Sequence, residues 1–113
     1  MKYDLRRSDD LAVMVLHEKR LDSNNTPALK AELLGVAGDE ISVLFLDVSE
    51  VEFCDSSGIS ALLLAERQMR EHDGQVGIID VGGAVTNVLK IAKLDTVFPI
   101  FSSQEEAYNA LED

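Results

Sequence analysis

A single cysteine, Cys54, rules out an internal disulfide, and no Cys/His spacing suits zinc. With no partner thiol, Cys54 reads as a small buried hydrophobe. No run of 18 apolar residues occurs, so no membrane-spanning helix is expected. The opening Met1-Lys2-Tyr3-Asp4-Leu5-Arg6-Arg7 lacks an apolar core, which argues against a secretory signal peptide. Positive charge is scarce: 10 basic residues face 21 acidic ones, a net charge of −11. That deficit disfavours nucleic acid and anionic membrane surfaces, and favours a partner surface that is basic or neutral. These absences together suit a reducing cytoplasm.

What is present is a core. Apolar residues make up 46% of the 113, enough for one folded domain spanning 1–113 and too many for disorder. Tyr3 to Leu5 reads as a short strand, and Arg6 to Asp10 as a polar turn. Leu11 to Leu16 is continuously apolar, the pattern of a strand buried on both faces and antiparallel to the first. His17 to Asn25 shows no periodicity. Thr26 as N-cap with Pro27 at the first helical position starts a helix with Leu29, Leu33 and Val36 inward, ended by Gly35 or Gly38. Ile41 to Asp47 and Val76 to Val81 read as buried strands. Val85, Val88, Leu89 and Ala92 give a short one-sided helix after the Gly82-Gly83 break. Val97 to Phe101 reads as a last edge strand, where Pro99 is tolerated. Ser103 to Glu106 is a capping box for a final helix with Ala107, Ala110 and Leu111 inward. Strands alternating with helices predict an α/β fold with parallel crossovers.

Val51-Glu52-Phe53-Cys54-Asp55-Ser56-Ser57-Gly58-Ile59 links the central strand to an amphipathic helix running to about His72. Asp55, Ser56 and Ser57 therefore stand at a helix start. Each can accept a hydrogen bond from a free N–H of the first turn, and local capping alone accounts for such residues. A serine hydroxyl there also occupies a place that tolerates added negative charge.

The motif and the C-terminal half of the chain resemble a family. Phe53 to Ile59, then Gly77-Ile78-Ile79-Asp80-Val81, Val88 to Asp95, Val97 to Phe101 and Glu105-Glu106-Ala107 are similar to a STAS domain of the bacterial anti-sigma factor antagonist kind. The likeness covers nearly the whole chain. It implies a mixed sheet of about four to five strands with about four helices. It implies phosphorylation on the serine after the aspartate, which is Ser56. It implies a partner surface near that serine, carried onto Asp22, Asp55, Ser57 and Gly58; the apolar stripe of the helix being core, its exposed face adds Ser60 and Arg67 to the expected contact. Leu21-Asp22 matches a Leu-Asp pair that the family places near the phosphorylation site. The family often has a glycine before that pair, whereas this chain has His17-Glu18-Lys19-Arg20. A solvated turn aspartate is the alternative for Asp22.

The implied function is a non-enzymatic switch in the cytoplasm. A monomer, unphosphorylated, would bind an anti-sigma factor that is also a serine kinase and so release a sigma factor; a serine phosphatase would reset it. ATP would belong to the kinase, so no cofactor is expected on this chain, and no direct contact with nucleic acid or membrane. The alternative is a structural STAS subunit of a larger complex, such as a stressosome or a lipid-transport assembly.

Catalysis reads poorly. A nucleophilic serine needs a base and an oxyanion site, and there is no G-x-S-x-G elbow. His72 lies about 24 Å from Ser56 along a helix, out of reach. Gly82-Gly83 lacks both the dinucleotide fingerprint and the P-loop lysine, and reads as a tight turn.

Overall fold

The first ordered feature is a hairpin, and it is longer than the sequence suggests. The computed structural model describes residues 1–37 and 40–111. Strand β1 (Tyr3–Ser8) pairs antiparallel with β2 (Leu11–Leu16), Ser8 opposite Leu11. The expected polar turn at Arg6–Asp10 is thus only Asp9-Asp10, with Asp9 at φ 54°. Pairing with an apolar neighbour carries Arg6, Arg7 and Ser8 into the strand, overriding their modest strand preference.

A two-residue strand, β3 (Arg20–Leu21), follows, and then helix α1 (Thr26–Ala37). Thr26 is the first helical residue and not the cap, and the Asn25 carbonyl accepts from Leu29 N–H at 3.1 Å. Gly35 does not end the helix, which runs on to Ala37. Gly38 lies outside the described residues. Next come β4 (Val43–Asp47), β5 (Phe53–Cys54), α2 (Ser56–Glu71), β6 (Gln75–Ile79), α3 (Ala84–Ile91), β7 (Ile100–Phe101) and α4 (Gln104–Ala110).

The main sheet has five strands in the order β1-β2-β4-β6-β7; only the β1–β2 pairing is antiparallel. This is the mixed sheet with four helices, among the described residues, that the sequence implies. A separate parallel pair, β3 with β5, matches Arg20 to Phe53 and Leu21 to Cys54.

The two sheet faces are unequally covered. Alternate strand residues Met14, Leu16, Leu44, Leu46, Val76 and Ile78 pack against Leu29 and Leu33 of α1, Leu62 and Met69 of α2, and Val85 and Leu89 of α3. The opposite face buries Val13, Phe45 and Ile79 under Ala107 of α4. Helix α4 brings only Ala107 inward; Ala110 and Leu111 are exposed, contrary to expectation. The helix is seven residues long, and its contact is completed instead by Tyr108, edge-on to Phe45 at 6.1 Å. Likewise the last strand is two residues, not five: Val97 is exposed, Phe98 is drawn into the main core, and Pro99 lends its carbonyl to Ile78 N–H at 2.8 Å.

Candidate functional site

Helix α2 begins at Ser56 because Asp55 stops the extended chain and caps the turn. Asp55 is extended at φ −93°, ψ −172°, and its Oδ1 accepts from the N–H groups of Ser57 (2.9 Å) and Gly58 (3.2 Å). The Ser57 hydroxyl donates to the same oxygen at 2.6 Å. That hydroxyl first, then the Gly58 and Ser57 N–H groups and the nearby Arg20 charge, hold the Asp55 carboxyl below its ordinary pKa against the opposing effect of burial. The cap is therefore an ionised aspartate at neutral pH, satisfied from within the motif.

Ser56 differs from its neighbour. It is exposed, and no side-chain hydrogen bond ties it down among the described residues. Ser57 is half-buried and committed to Asp55. Ser60 lies exposed one turn along. Gly58, expected among the partner-binding residues, is buried: a Cβ there would stand 2.5 Å from Cys54 Sγ, 3.0 Å from Leu21 Cβ and 3.2 Å from the Leu21 carbonyl oxygen. Its part is to let the helix start lie flat against β3 and β5. Cys54 is buried, its thiol pushed up to about 11 by burial and then by the Asp55 charge, and so is inert at neutral pH.

Asp22 reaches the site through the β3–β5 pair. Asp55 N–H donates to the Leu21 carbonyl at 3.1 Å, so the register that pairs Leu21 with Cys54 carries Asp22 level with Asp55. Asp22 is not a free turn residue. Its Oδ1 accepts from Asn24 N–H at 3.0 Å, its Oδ2 from Arg20 Nε at 3.3 Å, and its own N–H donates to Asn25 Oδ1 at 3.1 Å. The segment that replaces the family's glycine is pinned too. The Lys19 carbonyl accepts from Glu52 and Phe53 N–H, and the His17 ring sits between Asp4 (2.8 Å) and Glu50 (2.6 Å). Arg20 lies 4.1 Å over the Phe53 ring. Arg20 and Phe53 are site residues that the sequence does not reveal. A two-residue strand paired across 33 positions leaves no local signal.

Neither histidine is placed to activate Ser56. His17 is held by its two carboxylates, and His72 caps the far end of α2 with Nδ1 2.8 Å from the Gln68 carbonyl. No cluster of three or more His, Cys, Asp or Glu suited to a metal occurs among the described residues. No helix of the described residues is long and apolar enough to cross a membrane.

Residues 2–107 match the family model described as the STAS domain. The chain belongs to the STAS domain family. The putative anti-sigma factor antagonist BtrV of Bordetella bronchiseptica is 25% identical over 107 residues, covering 95% of this chain and 91% of that protein. The crystal structure of an anti-sigma factor antagonist from Mycobacterium paratuberculosis superposes with a TM-score of 0.87 at 25% identity, covering 99% of this chain and 94% of that one. The anti-sigma factor antagonist SpoIIAA in its unphosphorylated form shares the fold, with a TM-score of 0.82 at 18% identity over 98% and 96% of the two chains. The fold also occurs in a sulfate transporter family protein from Wolinella succinogenes, at a TM-score of 0.76 and 16% identity over 90% and 86% of the two chains. This STAS domain is thus anti-sigma factor antagonist-like.

Proposed function

We propose that this chain is a non-enzymatic, phosphorylation-controlled switch that binds an anti-sigma factor serine kinase while Ser56 is unmodified, and that a serine phosphatase resets it. The observation that carries this reading is the division of labour in the motif. Asp55 and Ser57 complete the cap between them, and Ser56 is left exposed at the helix start with its hydroxyl uncommitted. A phosphate there adds roughly 1.5 to 2 negative charges and three acceptor oxygens. Within this chain the helix N-terminus favours that charge. Across a packed interface the effect reverses, because the charge must be desolvated beside Asp55 and Asp22. Arg20, the cation at hand, is already engaged by Asp22 and Phe53. Asp22, Asp55 and Ser60 frame the contact surface; Ser57 and Gly58 hold its shape.

The alternative, a scaffold STAS subunit, makes no use of a free hydroxyl at this position. The test is affinity for the purified kinase by titration calorimetry, with stability measured in parallel. Ser56→Ala should bind like the unmodified protein. Ser56→Asp should fold normally and lose affinity on the order of a hundredfold, about 2.7 kcal/mol, with authentic phosphorylation weakening binding further. Equal affinity of the unmodified, Ser56→Asp and phosphorylated forms would exclude the switch and favour the scaffold.

A further inference from the structure

Beside Ser56 the surface opens into an apolar groove that the switch itself does not explain. It encloses about 300 Å³ between the start of α2 and the last turn of α3. Cys54 and Ile59 lie deep in it and are buried; Val88 is half-buried. Its outer wall is Ile91, which is 83% exposed, the largest exposure of any bulky apolar residue described. Asp55 and Ser56 form the opposite rim. Helix α3 could bury its apolar side with Val85 and Leu89 alone, and does so. Ile91 adds nothing to that core, yet it extends a cavity whose far edge is the uncommitted hydroxyl.

We propose that this groove is a second docking element for the kinase that acts on Ser56, and that it receives an apolar side chain of that kinase flanked by a basic residue. This rests on the switch reading above. Two features fix the occupant's chemistry. The walls are apolar, with Cys54 held as the neutral thiol, so the inserted group is aliphatic or aromatic. The charged group lining the rim is the ionised Asp55, on a chain of net charge −11, so the flanking group is Arg or Lys. A second copy of this chain, equally acidic, would bring like charge to that rim. The groove abuts Ser56, so an occupant seated there places the kinase over the hydroxyl, and a phosphate on the rim acts against the same occupant.

The experiment uses the full chain and the purified kinase with ATP and Mg²⁺. Ile91→Glu should raise the KM for phosphorylation of Ser56 at least tenfold, with kcat within about twofold, and should weaken binding by a similar factor. Ile91→Leu should restore both. The side chain is exposed, so the thermal midpoint should not move. Unchanged KM and affinity in Ile91→Glu would overturn the proposal. So would a change in the sedimentation of the protein alone on Ile91→Glu, because the groove would then be filled by a second copy. Weak binding by Ile91→Glu together with full-strength binding by Ser56→Asp would uphold the groove and sink the switch.

Discussion

Helices α2 and α3 start at the same end of the sheet, and they are built in opposite ways. The start of α2 is capped by the residue directly before it, with Asp55 collecting two N–H groups and a hydroxyl. The start of α3 has no side-chain cap; Gly83 turns the chain at φ 80°, and the hold comes from Asp80, whose Oδ2 accepts from Thr86 N–H (2.8 Å) and Oγ1–H (2.7 Å). Asp80 anchors from a buried position just past the end of β6, whereas Asp55 anchors from nearer the surface. A surface cap leaves the first helical residue free to change its chemistry, because nothing holding the helix depends on it. An interior anchor offers no such residue: the first positions of α3 are Ala84 and Val85. Gly82-Gly83 is accordingly a turn.

The sharpest way to break this contrast is to push α2 off its seat. Gly58→Ala should cost about 1–3 kcal/mol in a urea melt, because the new methyl must displace Cys54 and the Leu21 backbone. A smaller loss would mean that the helix start can slide. Gly83→Ala should cost about 1–2 kcal/mol by a different route: there is room for the methyl, but the left-handed backbone resists it. Combining the two tests whether the helix starts are independent, and additive losses are expected.

A finer test separates cap from hydroxyl. Asp55→Ala should lose about 0.5–2 kcal/mol, and Ser56→Ala no more than about 0.5 kcal/mol, by denaturant unfolding. Comparable losses would mean that Ser56 shares the cap. The smallest effect is on pH. Folding holds the Asp55 pKa below its ordinary value of 3.8, so its contribution is complete above that value and disappears as pH falls through the folded-state pKa. In melts, Asp55→Asn should therefore lessen the loss of stability on acidification from about pH 6, with variant and parent converging only once the pH is below the folded-state pKa.

The legible parts of this molecule are those written locally. The start of α2 comes from Asp-Ser-Ser-Gly against an apolar stripe, and the sheet from continuous apolar runs. The illegible parts are nonlocal. β3 and β5 are two residues each and exist because they pair with one another, which is what brings Asp22, Arg20 and Phe53 to Ser56. Which serine is free is equally hidden. Both can cap, and the choice is made by Ser57 turning its hydroxyl back onto Asp55. Spacing places Val88 and Ala92 on a core stripe; Val88 does pack against the core from a half-buried position while also bordering the groove, whereas Ala92 lies past the end of α3 and is exposed.

The margins of the sheet carry a consequence of their own. On one side β1 presents an almost wholly exposed strand studded with Asp4, Arg6 and Arg7; on the other β7 is two residues long and comes directly after a proline. Charge on the first and brevity on the second make both poor templates for an incoming strand. A neighbouring chain therefore gains little by pairing its backbone with either margin of the main sheet.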